Sequence, residues 1–364
     1  MNLIWWLPTQ GDGKYIGTTK GNRSNSLNYH KQIVTALDML GYDSVLVPTG
    51  RSCEDPWIFA SSLVNETKKL RYLIALRPSV QSPTLAGRLA SSFDRISNGR
   101  LELNIVTGGV PAELHADGVH LEHSQRYKYT EEFLEIFNPI MEGKEIDFEG
   151  DHINVENANI LFPSLQNPRP PIFFGGASDE AMEVAVKHSD VYLMWAEPFE
   201  NIKNRIIKIK ELELKYNRTV ELGIRFHIIV RETEKEARKA AANLIKYASP
   251  QESINLLKKD YDSVGQSRLD EIMELHPDDF MEDNLWKGIG RYRGGASIAI
   301  VGDPQQVAST LFKYQSLGIK HFIISGYPNL EEIYNIHDLL FPLIKSKDNI
   351  NISDSHLGNK VPWF

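Results

Sequence analysis

The chain has 364 residues, 41% hydrophobic and 24% charged, which suits one large barrel or two ordinary domains and rules out wholesale disorder. Forty Lys and Arg stand against 48 Asp and Glu, a net charge of −8 with a pI near 5.8, so nucleic acid and anionic membranes are poor partners. The single cysteine, Cys53, excludes an intramolecular disulfide and any multi-cysteine zinc or iron–sulfur site. No apolar run approaches bilayer length, and Met1 to Gly13 carries no basic n-region of a signal peptide. A cytoplasmic small-molecule protein is expected.

Short apolar segments, often β-branched, recur along the chain. The predicted strands are Leu3–Trp6, Ser44–Val47, Arg71–Leu76, Leu101–Val106, Pro171–Phe174, Val191–Met194, Leu222–Val230 and His321–Ser325. Helix-like stretches separate most of them, which implies parallel pairing with right-handed crossovers. Eight such strands predict a closed (β/α)8 TIM barrel, an α/β fold, with its site at the strand C-termini.

Between the fourth and fifth strands, Phe133, Phe137 and Met141 form a helical stripe that Pro139 should kink or end early. Ile146–Val155 reads as a hairpin turning at Gly150-Asp151. Thr233 with Glu236 reads as a capping box. The charged stretch of about 249–293 is longer than an ordinary loop and is expected as a mobile lid or insertion over the strand C-termini. Asp303-Pro304 opens a helix with Val307, Leu311 and Tyr314 on one face and Gly318 at its stop. One barrel domain is thus expected over 1–345, followed by a polar tail, 346–364. That tail ends in Val361, Pro362, Trp363 and Phe364, either docked on another surface such as a second subunit or frayed.

The strand-to-loop junctions are rich in polar residues and glycine. Gly175 to Asp179 joins a strand to a helix, where glycines, free N–H groups and Ser178 suit a phosphate. A plain tight turn with Ser178 as N-cap explains the same residues. Arg225 and His227 leave one face of a strand whose other face carries Ile224, Phe226 and Ile228. Together they make a receptor for an anionic oxyacid, or an internal ion pair with a barrel carboxylate. Cys53, just past a strand, is either a buried small hydrophobe or a reactive thiol. His115, His120 and His123 do not share one helical face, so no metal site is expected. No Walker loop or dinucleotide GxGxxG is present.

Seven stretches, in order along nearly the whole chain, together resemble the bacterial luciferase-like flavin monooxygenases, most closely the two-component alkanesulfonate monooxygenases. They are Trp6-Leu7-Pro8-Thr9, Pro48 to Asp55, Asp94 to Arg100, Phe174-Gly175-Gly176, Gly223 to His227, Arg293 to Ala296 and Ser325 to Pro328. The resemblance implies reduced FMN (FMNH2) taken from a separate NAD(P)H-dependent FMN reductase, with O2 as co-substrate. The carbon bearing the sulfonate of an alkanesulfonate would be oxygenated, giving an aldehyde and sulfite. It places Cys53, Trp195, Arg225, His227, Arg293 and Tyr327 in the active site. The flavin ring would lie near Asn104, Thr107 and Gly108, and its phosphate near Tyr127, Gly176, Ala177 and Ser178. A homo-oligomer, dimer or tetramer, and a role in sulfur metabolism are expected with it. The family usually carries histidine where this chain has Gln10, which hydrogen-bonds but bears no charge; Ala177 stands where serine is common. A methanesulfonate-specific enzyme, a non-catalytic flavin-binding relative and a deazaflavin-dependent dehydrogenase on the same barrel are the alternatives.

Overall fold

The computed structural model describes residues 1–249, 261–276, 278–282 and 284–345. Four strands open the chain: β1 (Asn2–Trp6), β2 (Ser44–Val47), β3 (Arg71–Leu76) and β4 (Leu101–Ile105). A small antiparallel hairpin follows, β5 (Ile146–Glu149) and β6 (Asn154–Ala158), and then β7 (Ile172–Gly175), β8 (Val191–Trp195) and β9 (Glu221–Val230). Three short strands come next, β10 (Phe280–Glu282), β11 (Leu285–Trp286) and β12 (Ala299–Gly302), before the last, β13 (Ile319–Ser325). Eight of these, β1 to β4, β7 to β9 and β13, pair in parallel and close into a (β/α)8 barrel where β8 meets β9.

Alternation along each strand divides the side chains between two cores. Ile4, Leu46, Leu73, Phe173, Leu193 and Ile323 fill the barrel interior. Leu3, Trp5, Val45, Tyr72 and Phe322 pack outward under the helices. Leu193 reaches the axis because Gly223 opposite has no side chain; a Cβ there would lie 2.4 Å from Leu193 Cδ2. This apolar filling ends near the C-terminal mouth, where Trp6 packs against it.

The helices close through the caps their sequences announce. They are α1 (Leu27–Leu40), α2 (Pro56–Leu63), α3 (Pro83–Ile96), α4 (Pro111–Ala116), α5 (His123–Met141), α6 (Asp179–His188), α7 (Phe199–Tyr216) and α8 (Glu234–Leu244), followed by α9 (Val264–Leu275), α10 (Pro304–Gln315) and α11 (Asn329–Ile344). Asp303 and Gln306 form a complete capping box on α10, whereas Glu236 bonds the Thr233 hydroxyl rather than its backbone. Pro139 sits in the last turn of α5, which ends at Met141, and Phe133, Phe137 and Met141 are buried.

The region from 249 to 293 is more ordered in its described part than its composition predicts. It carries α9, β10, β11 and a 3-10 turn, Gly288–Arg291. Strand β12 continues the edge of β9 beyond β8, pairing with His227–Val230, and β11 adds to it antiparallel. None of these three strands was expected. The tail residues Val361 to Phe364 lie outside the described residues. No described helix is long and apolar enough to cross a membrane.

Candidate active site

A cavity of about 310 Å³ opens at the C-terminal mouth of the barrel. Its walls bring together residues from widely separated junctions: Trp6 at the end of β1, Thr49 after β2, Arg77 after β3, Asn104 and Thr107 with Gly108 at β4, Gly176 and Ala177 after β7, Trp195 at the end of β8, and Arg225 on β9. Tyr127 and His123 of α5 close one side, and Tyr261, Ser263 and Gly265 from the start of α9 cover another. The insertion therefore does stand over the strand ends. Arg126 of α5 anchors it, donating to Asp262 at 2.6 Å.

At one end the β7–α6 turn presents Gly176 and Ala177 to the cavity, ahead of the free N–H groups that begin α6. Tyr192 fixes the turn by donating to the Gly176 carbonyl at 2.6 Å. A Cβ on Gly176 would lie 2.5 Å from Ala181 Cβ and 3.3 Å from the Tyr127 hydroxyl, so only glycine fits there. Burial pushes the pKa of the Tyr127 hydroxyl upward, against the pull of the neighbouring Thr107 and Ser178. Ser178 caps α6, accepting from Ala181 N at 3.2 Å, and does not line the cavity.

The other end is cationic. Arg225 is 5% exposed, and its guanidinium carbon stands 5.3 Å from the Trp6 ring. Burial, with the nearby Arg293 adding to it, pushes the Arg225 pKa down from the ordinary arginine value. Behind Arg225 lie Ser325 and His227, and the His227 ring stacks with that of Tyr327 at 5.6 Å between centroids. Tyr327 in turn accepts a hydrogen bond from Arg293. Among the described residues neither Arg225 nor Arg293 meets a carboxylate, so the internal ion pair that the sequence left open is not what occupies this face. The buried carboxylate on the cavity wall, Glu197, already binds Arg205.

Of the thirteen residues the resemblance singled out, Asn104, Thr107, Gly108, Tyr127, Gly176, Ala177, Trp195 and Arg225 line this cavity. His227, Arg293 and Tyr327 form the layer behind Arg225, and Ser178 the layer behind Tyr127. Cys53 lies apart, half-buried beside Thr9, Ser52 and Arg77; burial raises its thiol pKa against the pull of those neighbours. Gln10 is exposed. His115 stacks on His120 at 4.9 Å while His123 joins the cavity wall, so the three make no common site. Glu131, Glu135 and His188 do bring donor atoms within 4.8 Å of one another, but the Lys187 ammonium, 2.9 Å from Glu131, supplies the cation there.

Several wall residues were not singled out. Arg77 follows β3 directly, and its Nη1 donates to Asp117 at 2.9 Å. Glu197 and Arg205 are both nearly buried. Position one or two residues past a strand is the signal that finds Arg77 and Glu197; Arg205 on α7 has none.

Asn104 carries a further clue, since its Oδ1 is buried without a hydrogen-bond partner among the described residues. A buried acceptor left open is costly unless a ligand meets it. An isoalloxazine ring offers N–H donors, and the turn at Gly176 with the N-terminus of α6 offers a phosphate its N–H groups. The donor set therefore fits a flavin mononucleotide. Fold and cavity together define a barrel enzyme of the flavin-binding kind.

The profile of the luciferase-like monooxygenases matches residues 1–321. The chain belongs to that family of flavin-dependent enzymes. Its fold is similar to that of a riboflavin lyase solved with modified FMN and riboflavin (TM-score 0.79, 16% identity, 95% of this chain and 92% of the other). It is also similar to a long-chain alkane monooxygenase (TM-score 0.78, 18% identity, 95% and 91% covered) and to an EDTA monooxygenase from Chelativorans sp. BNC1 (TM-score 0.77, 19% identity, 96% and 94% covered). At such identities these likenesses concern the fold.

Proposed function

We propose that the protein is an FMNH2-dependent monooxygenase that cleaves the C–S bond of alkanesulfonates with O2, giving an aldehyde and sulfite. The observation that carries this reading is the pair Arg225, on the cavity wall, and Arg293 behind it, two guanidiniums with no carboxylate partner among the described residues. Like charges held close together raise the free energy of the empty site, and a bound anion relieves it. A planar guanidinium matches the oxygens of a sulfonate, and two of them leave little appeal for a neutral substrate.

Reduced flavin with O2 supplies the oxygen atom and the electrons. The chain's own residues do the rest. Gly176, Ala177 and the start of α6 would hold the phosphate, with Tyr127 beside that turn. Asn104 Oδ1 would accept a ring N–H. Trp6, Leu46, Leu193 and Trp195 wall the space with apolar surface, which limits water near the reacting carbon. Arg225 grips the sulfonate from the barrel side, with Arg293 approaching across Tyr327. A separate NAD(P)H-dependent FMN reductase delivers the reduced flavin, in keeping with the absence of a dinucleotide fingerprint from the sequence. The reading also includes a homo-oligomeric, cytoplasmic enzyme.

Sulfite release is the direct test. Purified protein with photoreduced FMN, O2 and octanesulfonate should release sulfite, and omission of either FMNH2 or O2 should abolish it. Product formation without O2 would indicate hydride chemistry and overturn the proposal. Sulfite from methanesulfonate alone would replace the substrate with its one-carbon relative.

A further inference from the structure

The hydrogen bonds behind Arg225 run in one direction. The Ala296 carbonyl only accepts, so His227 Nε2, 3.1 Å from it, carries the ring proton. The imidazole is neutral, because burial and the adjacent Arg225 and Arg293 hold its pKa well below the usual histidine range. Its Nδ1 is therefore a bare acceptor. Ser325 Oγ lies 2.8 Å from that nitrogen, and its hydroxyl proton must point there. The same oxygen accepts from Arg225 Nη2 at 2.7 Å. Strand register sets up the contact, since Ser325 on β13 stands beside His227 on β9. Ser325 and His227 are each 1% exposed, and of the three side chains only Arg225 reaches the cavity.

We propose that Ser325 and His227 are positioning residues, a one-way relay from Arg225 through Ser325 and His227 to the Ala296 carbonyl that aims the guanidinium at the bound anion. The proposal rests on the reading of Arg225 as the sulfonate's grip. A free arginine side chain samples many rotamers, and ordering it on binding weakens affinity. The relay orders it beforehand. The Ser325 hydroxyl does both through one atom, accepting from one neighbour and donating to the other, and only a neutral histidine in the Nε2–H form can receive it.

Two measurements test this. Long-range ¹H–¹⁵N NMR of the full-length protein labelled at histidine should show His227 as the neutral Nε2–H tautomer at pH 7.5. An Nδ1–H ring or an imidazolium would overturn the relay, and this measurement needs no variant. In the anaerobic FMNH2 complex, Ser325→Ala should weaken octanesulfonate binding, read by tryptophan fluorescence, by about tenfold, leave FMNH2 affinity unchanged and shift both His227 nitrogens. Unchanged sulfonate affinity in a folded Ser325→Ala variant would overturn the relay as well. If the wild-type complex binds no sulfonate at all, the anion reading fails instead, and the tautomer alone decides the relay.

Discussion

Arg225 carries the first prediction. Its guanidinium is buried among Trp6, His227 and Tyr327, and burial with the repulsion of Arg293 pushes its pKa down from the ordinary arginine value. That value starts so far above neutrality that the group stays cationic through the working range. The profile of kcat/KM, which reports the free enzyme, should therefore show no loss from Arg225 between about pH 7 and 9. A fall in that range that Arg225→Ala abolishes would mean that the guanidinium does lose its proton there. Arg225→Ala should lower kcat/KM roughly 10- to 100-fold, the worth of a hydrogen bond to a charged group, with reduced-FMN affinity retained in an anaerobic titration. Cys53 points the other way. Its thiol is pushed up by burial and stays protonated at neutral pH, so iodoacetamide should label it more slowly than a free thiol. Cys53→Ser should cost at most about tenfold in turnover, the scale of one neutral hydrogen bond.

The β7–α6 unit shows how a single element makes a ligand site. The strand ends at Gly175, the turn needs Gly176 for its close approach to Ala181, and Ser178 caps the helix. Gly176→Ala forces the added carbon against Ala181 and toward Tyr127. Overpacking of this kind costs about 1–3 kcal/mol and displaces the first turn of α6. Reduced-FMN affinity should fall by at least about tenfold, measured by anaerobic fluorescence titration; unchanged affinity would place the phosphate elsewhere. Elements of this sort were legible in the sequence because each strand is an apolar run bounded by a turn, and all eight barrel strands stand where that pattern puts them. The pattern fails for β10 and β11, which are too short to carry a period. It does mark β12, since Ala299–Gly302 ends an apolar run bounded by Gly294-Gly295 and Asp303, yet that strand lies outside the eight of the barrel. The polar face of β9 was legible from the spacing of Arg225 and His227. Which of the two reaches the cavity was not, since this depends on Ser325 arriving from a strand 98 residues away.

One buried carboxylate ties the first loop to the last helix beside the β1–β13 seam of the barrel. Asp12, in the loop after β1, accepts from the Asn329 backbone N–H at 2.8 Å and from Asn329 Nδ2 at 3.0 Å, across 317 residues of chain. The Tyr29 hydroxyl and Gly13 N–H also donate to it. Trp5 of β1 donates to Asn329 Oδ1 at 3.0 Å, so first strand, first helix and last helix share one network. Asp12 is 7% and Asn329 1% exposed, leaving water little access to replace a lost partner. Asp12→Ala would strand the Tyr29 hydroxyl and both Asn329 donors at about 1–3 kcal/mol each, so unfolding free energy should fall by roughly 3 kcal/mol or more. Against a total stability on the order of 5–15 kcal/mol, that is a large fraction. Asp12→Asn keeps the volume and one acceptor oxygen but turns an amide toward an existing donor, so it should fall between Asp12→Ala and the parent. Urea unfolding followed by tryptophan fluorescence measures both. A loss below about 1 kcal/mol in Asp12→Ala would mean that strand pairing between β1 and β13 closes the barrel unaided, with the Asp12 network only following it.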